Sequence, residues 1–403
     1  MRLATVLLLN ILILSSLGYT QTLKESHIDL AVGDLDRDGA LDVVAANYLG
    51  GIDVWLQREG GWVFSDGPGG SGTYWDVALA DFNEDQNLDL VAAREGGIDF
   101  WFGLGDSEWS SRIIISEKGS YRGVEALDFD RDGIPDVLAA KYGGVEIFLG
   151  RKDGEFELFK RIKISSKCIN VTAGDLNLDG EMDLVLTEYG TGLRVFWGSD
   201  LKEVSRPVKK GNFWGVALAD LDKDGLLDIV AGNDGMEGVF VSYNTKKGFK
   251  VKKALKFGKY RGVASADFDK DSNMDIVAGE DGRGIQILFG DAEGNFEVFN
   301  LESEGYFWGV AVADFNRDSY MDVASADEFG GVVIFILKGD EVLDKIELRA
   351  EKVYKKGEER KKEVGPNSIL ILVGFFLIGL RKFLMKRNKF MGPSRIELET
   401  SAL

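Results

Sequence analysis

Short apolar stretches with a period of two recur along the chain, always in the same order. A run such as WDVALAD leads into an acidic stretch, and a run of small residues such as DLVAA follows it. A Gly-rich turn such as REGG comes next, then an apolar and aromatic run such as IDFWFG. A last alternating run closes the unit, as in FELFKRIKI and FEVFNL. Alternation of this kind marks strands, because successive side chains of a strand point to opposite faces. Each unit therefore predicts four short strands in one antiparallel sheet. The second strand, rich in Ala and Gly, suits a crowded interior where neighbouring sheets approach closely. The bulkier third strand suits the wider space further out.

The acidic stretches share one pattern and one period. They are DLDRDGALD from Asp34, DFNEDQNLD from Asp81, DFDRDGIPD from Asp128, DLNLDGEMD from Asp175, DLDKDGLLD from Asp220, DFDKDSNMD from Asp267 and DFNRDSYMD from Asp314. Their first aspartates lie 47, 47, 47, 45, 47 and 47 residues apart. A repeat of this length points to a solenoid, a propeller or an array. No distinct polar caps flank the units, as a stack would require. The expected fold is all-β: a seven-bladed β-propeller of four-stranded antiparallel blades, from about residue 27 to about residue 350.

Asp or Asn at alternating early positions of a tight loop can converge on one point, and an all-oxygen donor set suits a hard cation, calcium best. Zinc is disfavoured by a chain with one His and one Cys. Position six of the loop is Gly39, Gly133, Gly180 or Gly225 in four copies, where glycine permits a sharp turn. Gln86, Ser272 and Ser319 occupy it elsewhere, which predicts looser turns and weaker sites. The freely varied position seven fits a ligand offered by its backbone carbonyl. An EF-hand needs Glu at position twelve and flanking helices. Here position twelve is Ala45, Ala92, Ala139, Leu186, Ala231, Ala278 or Ser325, with strand-like flanks. Plain polar turns are the simpler alternative, but packed carboxylates without a cation repel one another.

The signature D-[LF]-[DN]-x-D-[GSQ]-x-x-D followed by an aliphatic residue resembles the FG-GAP/VCBS repeat family, known from the integrin alpha-chain propeller and from microbial surface proteins. The likeness covers residues 27 to 350, although literal FG occurs only at Phe102, Phe257, Phe289 and Phe329. It implies up to seven Ca2+ ions. The implied ligands are Asp34, Asp36, Asp38 and Asp42; Asp81, Asn83, Asp85 and Asp89; Asp128, Asp130, Asp132 and Asp136; and Asp175, Asn177, Asp179 and Asp183. They continue with Asp220, Asp222, Asp224 and Asp228; Asp267, Asp269, Asp271 and Asp275; and Asp314, Asn316, Asp318 and Asp322.

Both ends point to export. Residues 1–21 have one Arg before an apolar run and then small and polar residues, the layout of a secretory signal. Residues 351–367 are charged and read as a stalk or linker. Residues 368–385 read as a transmembrane helix or a sorting segment, and 386–403 as a short basic tail that places the propeller outside the cell. The net charge is −19, which seven calcium ions would bring to −5 and which disfavours nucleic acid as a partner. Cys168 stands alone in an apolar strand and is expected to be a buried thiol.

A second repeated feature marks the strand ends opposite the acidic loops. YWDV, YRGV, FWGV, YRGV and FWGV place Tyr74 and Trp75, Tyr121 and Arg122, Phe213 and Trp214, Tyr260 and Arg261, and Phe307 and Trp308 at equivalent positions. In an antiparallel blade they share one end with the Gly-rich turns and their Tyr48, Glu95, Tyr142, Tyr189, Asp234, Asp281 and Glu328. Such a face suits a sugar or a peptide; plugging of the ring is the simpler role for the aromatics. With His27 the only histidine, catalysis has little support, though acid pairs drawn from Glu95, Asp99, Glu188 and Glu280 can be imagined in glycoside chemistry. The expected function is a calcium-binding, surface-anchored module that binds an extracellular glycan or surface protein. The alternatives are a secreted carbohydrate-active enzyme on the same scaffold, or a structural assembly factor of the cell envelope. Asn170-Val171-Thr172 also matches the N-glycosylation pattern.

Overall fold

The computed structural model describes residues 26–349 apart from 49, 71, 199 and 292. The expected signal segment 1–21, the stalk 351–367, the apolar segment 368–385 and the tail 386–403 lie outside the described residues. Among the described residues there is no helix long and apolar enough to cross a membrane.

Among the described residues all regular elements are strands, joined in the antiparallel order that the alternation predicts. The first sheet is β1 (His27–Gly33), β2 (Asp42–Asn47), β3 (Gly51–Arg58) and β4 (Gly61–Asp66), paired in chain order. The second is β5 (Tyr74–Ala80), β6 (Asp89–Arg94), β7 (Gly97–Trp101) and β8 (Ile113–Ser116). A ten-stranded sheet then holds β9 (Tyr121–Leu127), β10 (Asp136–Gly150), β11 (Phe156–Gly174), β12 (Asp183–Gly190), β13 (Gly192–Trp197), β14 (Glu203–Ser205), β15 (Gly211–Ala219), β16 (Asp228–Asn233), β17 (Gly238–Tyr243) and β18 (Lys250–Leu255). Two further four-stranded sheets follow. They are β19 (Tyr260–Ala266), β20 (Asp275–Glu280), β21 (Gly284–Gly290) and β22 (Phe296–Glu302), then β23 (Phe307–Ala313), β24 (Asp322–Asp327), β25 (Gly331–Lys338) and β26 (Glu341–Leu348).

The ten-stranded sheet departs from the expectation that each repeat keeps its own four strands. Residues Asp136–Lys141 of β10 pair with β9, whereas Gly144–Gly150 pair with the first half of β11. The second half of β11, Cys168–Gly174, pairs with β12. Three residue pairs stitch these repeats together: Tyr142 with Lys167, Tyr189 with Asn212, and Gly190 with Gly211. The merging is thus local, and four-stranded units persist within it.

The strands that enter the acidic loops face one another around an axis. β1, β5, β9, the second half of β11, β15, β19 and β23 touch in turn, and β1 meets β23. Apolar cores lie between successive units, and one joins Val43, Ala45 and Trp55 of the first sheet to Phe315, Ala324 and Ile334 of the last. These antiparallel four-stranded units, arranged as blades, are consistent with a propeller. The second strands are buried along their whole length in β2, β16 and β20, as their small side chains foretell. Around the axis the approach is tight enough to need glycine. A Cβ at Gly215 would lie 2.3 Å from the Arg261 carbonyl oxygen, and one at Gly262 2.3 Å from that of Trp308.

Candidate functional site

Every acidic loop folds through the same hydrogen bonds. The first aspartate accepts the N–H of position six at 2.7–3.0 Å, from Gly39 to Asp34 through to Ser319 to Asp314. The fifth-position aspartate accepts the N–H of position seven, as in Ala40 to Asp38 at 2.7 Å and Tyr320 to Asp318 at 2.8 Å. The apolar residue at position two, such as Phe82 or Phe268, is buried and pins the loop to the core.

The ninth-position aspartate has a role the sequence conceals. It is buried in all seven loops, from Asp42 to Asp322. One oxygen of Asp42 accepts the Leu35 N–H at 2.8 Å and the other accepts the Gln57 N–H at 2.8 Å. Asp89 does the same with Phe82 and Gly103, and Asp228 with Leu221 and Asn244. Each such carboxylate clamps its loop to the end of the third strand of its own repeat. Burial pushes the carboxyls of Asp89, Asp228 and Asp275 up to about 7, and those of Asp42, Asp136 and Asp322 up to about 6, against the hydrogen bonds that favour the charge.

Gln86, Ser272 and Ser319 do not loosen their turns, contrary to expectation. Their φ values of 70°, 69° and 72° lie in the left-handed region, as does that of Gly39 at 84°. The bonds from their N–H groups to the first aspartate repeat those of the glycine loops. The side chain's steric cost is borne because the surrounding bonds over-determine the turn.

The loops fall into two kinds by position three. Asp34, Asp36 and Asp42 bring oxygens within 4.8 Å of one another, as do Asp128, Asp130 and Asp136; Asp220, Asp222 and Asp228; and Asp267, Asp269 and Asp271. One buried oxygen each of Asp34, Asp128, Asp222 and Asp267 has no hydrogen-bond partner. Converging carboxylate oxygens with orphaned lone pairs fit a hard divalent cation. In the other loops position three is Asn, and its amide donates to the fifth-position carboxylate: Asn83 to Asp85 at 3.0 Å, Asn177 to Asp179 at 2.9 Å and Asn316 to Asp318 at 3.0 Å. These loops are partly closed on themselves. The first loop also receives a cation from within the protein, since Arg58 pairs with Asp36 and lies 3.6 Å from Asp38.

The opposite face holds the Gly-rich turns and the entries to the inner strands. Here the paired positions divide. Tyr74, Tyr121, Phe213, Tyr260 and Phe307 are at most 2% exposed and belong to the cores, so they are not part of a ligand face. Trp75, Arg122, Trp214, Arg261 and Trp308 sit instead at the inner rim. Arg122 stacks 3.5 Å over Trp75 and 5.0 Å from Tyr142, and pairs with Glu95. Arg261 lies between Trp308 at 3.6 Å and Trp214 at 5.0 Å, and pairs with Asp234 and Asp281.

The acids weighed for catalysis have structural partners. Asp99 is held by Tyr74 and Arg94, Glu188 by Ser166, Thr191 and Arg194, and Glu280 by Tyr260. A cavity of about 600 Å³ on the axis escaped the sequence reading, and Asp29, Asp76, Glu125, Asn170 and Thr172 line it. Asp76 accepts the N–H groups of Val77 and Val124, so it braces one repeat against the next. Burial raises Asp29 to about 6, Glu125 to about 7, and Asp76 well above its usual range. The signal was present: this position reads Asp29, Asp76, Gly123, Asn170, Gly215, Gly262, Gly309 through the repeats. Asn170 of the glycosylation pattern is turned to this axis, its side chain accepting the Val171 N–H. Cys168 is buried, as expected.

No curated protein matches the chain. The fold is similar to the BBS1N chain in a crystal structure of its complex with ARL6DN, with a TM-score of 0.58 and 12% identity over 79% of this chain and 94% of that one. It is also similar to the WD40 repeats of RRP9, with a TM-score of 0.54 and 11% identity over 75% of this chain and 88% of that one. The FG-GAP-like repeat matches at residues 34–92, 81–139, 128–186, 175–231, 220–278 and 267–325. Each match runs from one acidic loop into the strand after the next. On this agreement of repeat, loop and fold, the chain belongs to the family of FG-GAP-like repeat proteins.

Proposed function

We propose that the chain is an exported, surface-anchored propeller of seven blades that binds calcium through its acidic loops and an extracellular ligand on the opposite face. Six overlapping matches between successive loops correspond to seven loops, and the contact between β1 and β23 supports a ring of seven units. Residues 1–21 act as the signal and 368–385 as the anchor in this reading. The observation that carries it is the convergence of carboxylate oxygens in the Asp-type loops, with a buried oxygen of Asp34, Asp128, Asp222 and Asp267 left unpartnered. A divalent cation supplies positive charge there. The chain's own residues hold the loop open to it: the first aspartate bonds position six, and the ninth clamps the loop to the third strand. Rigid loops on one side leave the turns of the other side ordered for recognition.

Calorimetry of the full chain with and without calcium, with metal counting, tests this reading. Calcium raises the melting temperature, because an ion that binds only the folded state stabilises it. Asp224→Ala lowers both the metal count and the melting temperature in calcium. It converges with the parent once chelator is added. No bound calcium and an unchanged melt of the parent on chelation sink the reading.

A further inference from the structure

Repeats also pair at the turn end elsewhere, Glu95 with Ser120 and Asp281 with Tyr306, but in the ten-stranded sheet this pairing sets two tyrosines against a lysine. Tyr142 of β10 pairs with Lys167 of β11, Lys167 with Tyr189 of β12, and Tyr189 with Asn212 of β15. Paired residues on adjacent strands put their side chains side by side. The Lys167 ammonium accordingly lies 4.9 Å from the Tyr142 ring and 5.9 Å from the Tyr189 ring. Both rings are about two-fifths exposed, at 41% and 42%. Lys167 is exposed and makes no ion pair among the described residues.

The surroundings sharpen the charge. Residues 163–167, within β11, and 206–210, before β15, read KISSK and RPVKK; Arg206 pairs with Glu188, which leaves the charge of the surface to the lysines. Lys210 adjoins Gly211, which pairs with Gly190 beside Tyr189. A basic shelf stands here on a chain of net charge −19, with the acidic loops on the far side. A negatively charged ligand is drawn to this shelf and repelled from the loops.

We propose that Tyr142, Lys167, Tyr189 and Lys210 form a binding shelf for a carboxylated saccharide. The proposal deepens, and rests on, the reading of this face as the ligand side. The ring faces offer flat apolar surface to the C–H face of a sugar, and the ammonium groups between and beside them take its carboxylates. The cross-repeat pairing already uses backbone groups at Tyr142, Lys167 and Tyr189, so an added peptide strand finds no free edge there. Three residues on consecutive paired strands make a shelf and not a socket, which suits a repeating acidic chain laid across it.

The test uses the full chain in saturating calcium and three probes: a tetramer of galacturonic acid, its methyl ester, and tetraglutamate. The acidic tetramer binds, and the ester and tetraglutamate bind at least about tenfold more weakly. Lys167→Met and Tyr189→Ala each weaken the acidic tetramer by about tenfold or more, while the melting temperature and calcium count hold. Binding of tetraglutamate as tight as that of the sugar overturns the proposal in favour of an acidic peptide. No binding of the acidic tetramer, or equal binding by Lys167→Met, also overturns it. The ester bound by the parent as tightly as the acidic tetramer leaves a ligand face but removes this shelf from it. Loss of the calcium effect alone strikes the loops and not the shelf.

Discussion

The hydroxyl of Tyr74 donates to the carboxylate of Asp99 across 2.9 Å inside the second sheet. The same relationship recurs with changed residues. Tyr121 donates to Glu146, Tyr260 bonds Glu280 and Gln286, and His27 lies 2.9 Å from Asp53. Where the first partner is Phe, the second is apolar: Phe213 meets Phe240 with ring centroids 5.0 Å apart, and Phe307 shares a core with Val333. Outside the fourth repeat, which has Cys168 and Arg194 at these positions, the repeats thus exchange a polar pair for an apolar pair as a unit, because a buried polar group without its partner is costly.

Tyr74→Phe removes the donor and leaves Asp99 to Arg94 and Arg112. The expected loss is about 1–2 kcal/mol of stability. Chemical denaturation reads it directly, and a midpoint equal to the parent's contradicts the pairing rule.

Glu125 sets a pH dependence from the axial cavity. Burial raises its carboxyl to about 7 from a usual 4.5, against a hydrogen bond from Thr172. The folded state therefore holds its proton more tightly than the unfolded chain. The stability linked to that proton is full below about 4.5 and is lost as the pH rises through about 7. Glu125→Gln stays neutral and keeps an acceptor for Thr172. It should match the parent near the lower pH and exceed it, by about 1–3 kcal/mol, above the upper one. Melting curves across this range decide the sign.

Ser319 holds a φ of 72° in the seventh acidic loop. Ser319→Gly relieves that strain while keeping the N–H that bonds Asp314 at 2.7 Å. The greater freedom of glycine in the unfolded chain offsets part of the gain. A net rise of up to about 1 kcal/mol is expected. A lower midpoint shows that the hydroxyl has another role.

Arg58 enters the first acidic loop against Asp36 and Asp38. Its removal in Arg58→Ala takes away a charge that competes with any metal there. Luminescence titration with terbium, a calcium substitute, should show tighter binding by one class of site. Unchanged titration curves mean that Arg58 and the metal do not share the loop.

The repeat, its four-strand order and the acidic loops were legible in the chain because each is local: period-two alternation and a nine-residue stretch whose bonds run mostly within it. Membership of the repeat family follows from the same residues. Burial of the second strands was legible too, since Ala and Gly in Val43–Ala46 and its counterparts leave no other use for so small a surface. What the tertiary structure decided lies between distant segments. Asp42 reads as one more loop ligand, and only the folded third strand brings the Gln57 N–H to its second oxygen. Tyr74 and Trp75 are neighbours with the same aromatic signal, yet the alternation of one strand sends Tyr74 to the core and Trp75 to the rim. The shelf at Tyr142, Lys167 and Tyr189 depends on pairing between repeats, which no period within a repeat encodes.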